Sequence, residues 1–286
     1  MSGLTFKIYL DKSVEENASL YFQKLKVLKK KLAGAERTIL KMEKKLSRNV
    51  HKQEAKKTKQ EKVNIQMSWF TKFRWFFTQH GFLLIGAKDA GSNELIIKKH
   101  MSENDIVFHT SAPGSPFFIL KLDRFYSDND LKLIKEDIES SAQITACYSK
   151  AWSLSLTYTD VFYVRPEQVT KKAKAGEFLS KGSFMIYGKR NFLTVKLELA
   201  VGRLSENNKH PELIVFTPDT VSSKCKKYFT LSPGGLKKSD VVKKLLHSLV
   251  KKSPQFVVLN REKIPQDKLH DVMLSFVPSG SSSVQT

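Results

Sequence analysis

Apolar residues recur at alternating spacings of four and three through residues 14–46, and this pattern constrains the fold more than any other feature of the chain. Such spacing keeps one stripe of a helix facing a partner helix, so it predicts a coiled coil. The stripe consists of Val14, Ala18, Tyr21, Leu25, Leu28, Leu32, Ala35, Ile39, Met42 and Leu46. Ser13 and Glu16 have capping-box spacing and predict where the helix begins. A poorer apolar pattern over residues 51–75 predicts a return arm, hence an antiparallel helical hairpin that turns near Arg48 and Asn49.

The charge of this helical region is one-signed. Residues 24–62 contain 15 Lys/Arg and 4 Glu, a net of 15 − 4 = +11, and the whole chain has a net charge of +21. A solvated helix face is the simplest interpretation, but a helix that needed only solubility would mix charges of both signs. A phosphate backbone rewards each neutralised charge, so the count favours a polyanionic partner, with nucleic acid ahead of an acidic membrane or protein.

Several protein classes are disfavoured by composition. Cys147 and Cys225 are the only cysteines and have no paired spacing, which argues against a disulfide scaffold or a four-cysteine zinc site and favours a reducing compartment. No run approaches the length of a membrane span, and the first residues lack a signal-peptide core. We therefore expect a cytoplasmic protein that uses no metal, no cofactor and no membrane.

Beyond the helical region, strand and helix patterns alternate and predict an α+β fold. The sequence is divided into a short strand at residues 4–10 with the basic arm (1–66), a mixed α+β domain (67–203), and a small C-terminal α/β extension (204–286) that ends in a flexible tail (278–286). Strands are expected at residues 82–86, 95–98, 106–109, 117–121, 160–164, 184–187, 195–201, 213–216, 228–231 and 256–259. Helices are expected at residues 130–153, 238–252 and 266–273.

Four clusters could carry chemistry. Residues 86–94 are glycine-rich and contain Lys88, yet they lack the P-loop pattern, so a hairpin turn is the simpler interpretation. Strand alternation places Asp105 and His109 on one face, where the histidine could be a general base or a metal ligand, or only a hydrogen-bonded surface residue. The basic residues of 165–177 are most simply a solvated loop. No nucleophile or paired-carboxylate motif occurs, so no catalytic residue is predicted; an RNA-cleaving enzyme that uses Asp89, Glu94 and His109 is the disfavoured alternative.

The fourth cluster is an apolar run, residues 184–187, between two glycine-flanked basic turns. Alternation would place Phe184 and Ile186 on the core side. Gly182 and Gly188 bracket the run where the backbone bends or approaches another group. It is either a buried strand with ordinary turns, or a strand whose flanks hold an anion.

Several motifs resemble those of one known family when they are read in order. They are W-F-T-K-F-R-W-F-F-T-Q-H-G-F-L-L-I-G-A-K-D-A-G-S-N-E, D-I-V-F-H, C-Y-S-K-A-W, V-R-P-E-Q-V-T-K and G-E-F-L-S-K-G-S-F-M-I-Y-G-K-R-N-F. Together they resemble the RNA-binding domain of the NFACT family, and the capped helix resembles that family's coiled coil; the match covers roughly residues 5–203, and the archaeal branch is the most similar. The resemblance implies a non-enzymatic RNA-binding component of ribosome-associated quality control. Such a factor binds the large ribosomal subunit that carries a stalled peptidyl-tRNA, and it contacts ribosomal RNA and tRNA.

The resemblance also has departures. Family members begin with a tRNA-selecting N-terminal domain that is not found here, so we expect either a separate chain that supplies it or a reduced binding module, with the separate chain favoured. Lys88 stands where the family usually has Arg, which removes a planar bidentate donor. A general tRNA-binding or structured-RNA-binding module is the alternative function. The predicted RNA contacts are Lys72, Arg74, Lys88, Lys98, Lys99, His109, Arg165, Lys171, Lys172, Lys181, Lys189, Arg190 and Asn191.

Overall fold

The structure, a computed structural model, describes residues 7–57, 65–112, 114–172, 179–204, 210–250 and 254–285, without the side chains of residues 40 and 43–57. The chain divides into two compact units, Met1–Val63 and Asn64–Thr286. Each unit is described by itself. None of the described helices is long and apolar enough to span a membrane.

The first unit contains one long helix, α1 (Val14–Lys57), which begins as the sequence predicts. Ser13 Oγ accepts a hydrogen bond from the Glu16 amide at 3.1 Å, and Glu16 Oε2 accepts one from the Ser13 amide at 2.9 Å. This reciprocal pair is the capping box, and its prediction is confirmed. The described part of the expected strand at 4–10 is not a strand. There Asn17 bonds both the amide and the carbonyl of Tyr9, each at 2.9 Å, and holds this segment against the first helical turn.

The hairpin turn predicted near Arg48 and Asn49 is wrong, because α1 continues through both residues to Lys57. No glycine or proline lies between Gly34 and Lys57, so nothing in that stretch breaks a helix. The apolar stripe is exposed wherever its side chains are described; Leu28 and Leu32 are each 62% exposed. Leu46, residues 58–64 and most of the return arm's first half lie outside the described side chains, and the coiled coil stays a prediction.

Two six-stranded sheets and a two-stranded ribbon form the second unit. The first sheet has the strand order β1-β2-β4-β3-β5-β8, all pairs antiparallel. Its strands are β1 (Arg74–Phe77), β2 (Leu83–Gly86), β3 (Ile106–Thr110), β4 (Phe118–Lys121), β5 (Tyr158–Val164) and β8 (Asn191–Lys196), and the ribbon is β6 (Val169–Thr170) with β7 (Met185–Ile186). Three helices accompany them: α2 (Ala90–Leu95), α3 (Lys135–Cys147) and α4 (Lys150–Ser153).

The second sheet has the order β13-β12-β10-β9-β11-β14. Its strands are β9 (Leu199–Arg203), β10 (Glu212–Phe216), β11 (Lys227–Leu236), β12 (Phe256–Leu259), β13 (Glu262–Pro265) and β14 (Ser282–Gln285). Its helices are α5 (Pro218–Lys224), α6 (Lys238–Leu249) and α7 (Gln266–Phe276). The predicted boundary at 203/204 stays a prediction; β9, which precedes it, lies in this second sheet.

One aromatic core joins the two sheets. Phe76 of the first sheet lies 6.3 Å from Phe216 and 5.3 Å from Phe276, measured between ring centroids. Trp75 lies 4.7 Å from Phe276. All four side chains are fully buried, and each contributes about 1.5–3 kcal/mol or more to folding. The helical arm followed by an α+β domain is confirmed as the fold class.

Three sequence-based predictions of local structure are wrong. Residues 95–98 are helical, not a strand, because Asp89 and Ser92 cap α2 and the chain continues as a π turn over Ile96–His100. Residues 195–201 do not form one strand, since the chain leaves the first sheet after Lys196 and enters the second at Leu199. The tail that was expected to be flexible forms a strand over Ser282–Gln285: β14 pairs with β11, and buried Ser282 accepts a hydrogen bond from Trp152 Nε1 at 3.2 Å.

Candidate nucleic-acid interface

A cavity of about 670 Å³ opens between β1, the start of α2, the loop after β3, α4 and the loop before β7. We call it the basic cavity. Among the described residues, five cationic side chains and one carboxylate line it: Arg74, Lys88, Lys150, Lys181 and Arg190, with Asp89. No described carboxylate forms an ion pair with any of these five cations. The cavity is therefore electropositive, since a single carboxylate faces five cations.

Arg74 is the most buried of these cations, at 8% exposure. Its Nε donates to the Ser275 carbonyl at 3.1 Å, its Nη1 donates to the Ala87 carbonyl, and its guanidinium stacks 4.7 Å from the Tyr148 ring centroid. No described residue accepts a hydrogen bond from Nη2. Burial lowers the pKa of Arg74, while Tyr148 and Asp89 oppose that shift, and an arginine stays charged regardless. The structure thus fixes this guanidinium and leaves one nitrogen for an acceptor.

Lys88 follows β2 and is half-buried. Burial, and then the positive charge of Arg74, lower its pKa to about 8, and Asp89 acts in the opposite direction. Its Nζ has one described hydrogen bond, to the Thr71 carbonyl at 3.4 Å. A bound anion would give the Lys88 ammonium a negatively charged partner and so stabilise its charged form.

Two loops form the wall between Lys88 and Lys181. Asp89 Oδ1 accepts from the Ser92 amide at 2.8 Å, so the 86–94 stretch is a capped helix start and not the predicted hairpin turn. Glu94 Oε2 accepts from the Gly182 amide at 3.2 Å. That bond and the bond from Lys98 lower the pKa of Glu94 to about 2, with the Lys98 bond the larger cause. Gly182 has a φ of +80°, and an added Cβ would lie 2.6 Å from the Ala90 carbonyl oxygen, so only glycine allows the loops to approach this closely.

His109 lies at the cavity wall with both ring nitrogens engaged. Nδ1 lies 2.6 Å from the Thr110 carbonyl oxygen and Nε2 lies 2.9 Å from that of Ser115. Burial lowers its pKa, the two carbonyl bonds oppose this, and the charge of Arg190 adds to the lowering. In this structure His109 holds the loop after β3. Asp105, which alternation placed beside it, is buried and bonded to Lys121 instead.

A second cavity, of about 500 Å³, lies between α3, the segment before it and strands β5 and β8. We call it the mixed-charge cavity. Its described charged residues are Lys132, Lys135, Arg165 and Lys189, with Asp128 and Glu139, and Asn191 also lines it. Arg165 lies 3.6 Å from Asp128, donates to the Tyr126 carbonyl and stacks on Phe125, while Lys135 lies 3.5 Å from Glu139. Two of its four described cations therefore already have a carboxylate partner.

The remaining predicted contacts line neither cavity. Lys171 Nζ donates to the Ser180 and Ser183 carbonyls, both at 3.1 Å, and so supports the loop before β7. Lys98 forms a 2.7 Å ion pair with Glu94. Lys72, Lys99 and Lys172 are exposed.

Lys150 is the cation of the basic cavity that the sequence did not predict as an RNA contact. It begins α4, and the only signal for it was its place inside the motif C-Y-S-K-A-W. A stacked pair was missed as well: Trp69, 44% exposed, lies 4.4 Å from His100 at an interplanar angle of 11°. Spacing in the sequence could not distinguish Lys150 from other surface charges, or Trp69 and His100 from core aromatic residues.

Comparison with known proteins gives the same identification as the motifs. Residues 72–188 match the model of the NFACT protein RNA binding domain. The Archaeal Rqc2 homolog aRqcH of Methanocaldococcus jannaschii is 36% identical over 185 residues, which cover 64% of this chain and 26% of that protein.

Two animal proteins are similar over shorter shares of their length. The Ribosome quality control complex subunit NEMF homolog of Drosophila melanogaster is 36% identical over 125 residues, covering 44% of this chain and 12% of that protein. The Ribosome quality control complex subunit NEMF of Mus musculus is 32% identical over 187 residues, covering 62% and 16%. The chain thus spans about a quarter or less of the length of these relatives. The matched region contains Arg74, Lys88, Lys150 and Lys181 of the basic cavity, so residues 72–188 form an RNA-binding domain of the NFACT type.

Proposed function

We propose that this protein is an RNA-binding factor of ribosome-associated quality control that acts in the cytoplasm. It binds the large ribosomal subunit carrying a stalled peptidyl-tRNA and contacts ribosomal RNA and tRNA there. The observation that carries the proposal is the basic cavity, where five cations and only one carboxylate converge within and next to an RNA-binding domain. The names of the relatives supply the ribosomal context.

Electrostatics also support an RNA partner for the first unit. The described part of α1 presents lysines at 24, 26, 29, 30 and 31 on exposed positions. Each phosphate contact releases condensed counterions, so affinity should fall steeply with salt.

A purely binding role is part of the proposal. The polar groups that would serve an RNA-cleaving enzyme are engaged elsewhere: the ring nitrogens of His109 face two backbone carbonyls, and Glu94 accepts a hydrogen bond from the Gly182 amide. RNA incubated with the protein and divalent metal should stay intact; cleavage that disappears in His109→Ala would contradict this role.

Sedimentation tests the ribosomal proposal. The full chain is mixed with purified large subunits that carry or lack peptidyl-tRNA and run on sucrose gradients at low and moderate salt. We expect co-sedimentation with peptidyl-tRNA-carrying subunits, weakened by salt and by Lys88→Glu with Arg190→Glu, and unchanged by Lys268→Glu, an exposed lysine outside both cavities. Protein that stays at the top of the gradient at low salt rules the proposal out.

The alternative is a general tRNA-binding or structured-RNA-binding module, since a cavity with an excess of cations over carboxylates attracts any RNA phosphate. Equal binding to empty subunits, free tRNA and stalled subunits would favour it. A separate chain that supplies the family's tRNA-selecting domain stays a prediction, which co-purification with the tagged protein tests.

A further inference from the structure

The cations of the basic cavity differ in depth. Arg74 is buried, Lys88 is half-buried, and Lys150, Lys181 and Arg190 are exposed. A ligand that reaches the free Nη2 of Arg74 must therefore enter past the exposed three. Depth of this kind selects the shape of a ligand as well as its charge.

Paired RNA does not fit this arrangement of buried and exposed cations. A double helix carries its phosphates on a broad, stiff surface and is recognised across its shallow minor groove. Such a surface meets the exposed Lys150, Lys181 and Arg190 but cannot enter a cavity of about 670 Å³. An unpaired nucleotide can be splayed out of its strand and inserted.

The walls of the cavity also suit a base. Phe117, Phe162 and Phe184 line it; the first two are buried and Phe184 is partly exposed. The Arg190 guanidinium lies 4.9 Å from the Phe162 ring centroid and is itself exposed, so one face is packed and the other is open. Unpaired bases stack on such guanidinium planes and on aromatic rings.

We infer that the basic cavity takes one unpaired nucleotide of an RNA strand, either a single-stranded end or a looped-out residue. Its phosphate binds Lys88 and Nη2 of Arg74, and its base stacks on the open face of Arg190. Lys150 and Lys181 contact the flanking phosphates. This inference rests on the proposed RNA-binding function and specifies which kind of RNA the site selects.

Competition binding tests it. A labelled RNA hairpin with a short single-stranded overhang is bound to the full chain and displaced by the same hairpin unlabelled, by its blunt form, by a nucleoside monophosphate and by inorganic phosphate. Since stacking of one base is worth about 1–3 kcal/mol, the overhang form should compete about tenfold better than the blunt form. The monophosphate should compete at lower concentration than inorganic phosphate.

Variants locate the effect. Lys88→Gln should reduce the preference for the overhang and leave blunt-hairpin affinity within about twofold. Arg190→Gln should weaken overhang binding more than blunt-hairpin binding, while Lys268→Gln, the matched control, preserves the preference. Equal affinity of the native protein for both hairpins overturns the inference but leaves RNA binding in place. Equal losses for both hairpins in the variants, or displacement by inorganic phosphate as readily as by the nucleotide, also overturn it. Absence of binding to any RNA instead defeats the proposed function.

Discussion

The two cavities of the second unit contain similar numbers of cationic side chains but differ in how these are partnered. In the mixed-charge cavity, Arg165 faces Asp128 and Lys135 faces Glu139. In the basic cavity, no described carboxylate forms an ion pair with the five cations; Asp89 accepts its hydrogen bond from the cap of α2 and acts on Arg74 and Lys88 only through its charge. The difference teaches that a count of lysines does not locate an anion site. A local excess of cations over carboxylates locates it.

The comparison also separates two neighbouring residues that the sequence grouped together. Arg190 lines the basic cavity, whereas Lys189 lines the mixed-charge cavity. A combined change at 189 and 190 would therefore disturb both cavities at once. Variants must be chosen cavity by cavity.

The largest expected effect is charge reversal within one cavity. Lys88→Glu with Arg190→Glu should weaken binding of an overhang RNA about a hundredfold, because two contacts to a charged group, each worth about 1.5 kcal/mol, are lost. Lys132→Glu with Lys189→Glu, the two cations of the mixed-charge cavity without an ion pair to a described residue, should weaken it only a few-fold, because Asp128 and Glu139 already offset the positive charge there. Fluorescence anisotropy measures both dissociation constants, and equal losses would erase the distinction between the cavities.

The next effect concerns the wall of the basic cavity where the start of α2 contacts the loop before β7. Gly182→Ala places a Cβ against the Ala90 carbonyl at a positive φ, so unfolding free energy should fall by about 1–3 kcal/mol. Gly235→Ala is the control, since nothing lies within 4 Å of the Cβ it adds. Urea denaturation followed by circular dichroism compares them; equal stability of the two variants would mean that the loops need not approach so closely.

A smaller effect is expected from pH. Lys88, with a pKa of about 8, is charged below pH 7 and loses its proton as pH rises, so affinity should fall about tenfold between pH 7 and 9. Lys88→Arg stays protonated and should flatten the profile. Arg74 and Asp89 face Lys88 without titrating in this window, but burial also lowers the pKa of nearby Lys238 to about 8, so Lys238→Arg is the control. A fall that persists in Lys88→Arg would assign the titration to another group.

The smallest effect is a change of salt slope. Lys150→Gln should reduce the slope of log affinity against log salt by about 0.7–0.9, the share of one phosphate contact. Lys135→Gln should leave the slope unchanged, because its charge is already paired with Glu139. Identical slopes for both variants would show that Lys150 makes no phosphate contact.

Much of the fold was predictable because it depends on local patterns. The capping box of α1 and strands such as β3 and β10 follow from residue order alone, and the structure reproduces them. The errors arise where contacts with segments far apart in the chain determine the local structure. The tail is a strand only because β11 offers an edge and Trp152 a buried partner, and residues 195–201 split because two sheets compete for them.

The candidate site divides in the same way. Arg74, Lys88, Lys181 and Arg190 were selected from the sequence and share one cavity, but nothing in their spacing separates them from Arg165 or Lys189. Lys150 was not selected, since a single lysine at a helix start carries no pattern.

By itself, the sequence determined the α+β class, the strong positive charge and the type of RNA-binding domain, because these depend on composition and on ordered motifs. The tertiary structure alone decided which cations lie unpaired in one cavity and which are neutralised by a carboxylate. The pair between Lys135 and Glu139 lies within one helix, but the pair between Arg165 and Asp128 joins residues far apart in the chain, and only packing brings those two within a few ångströms.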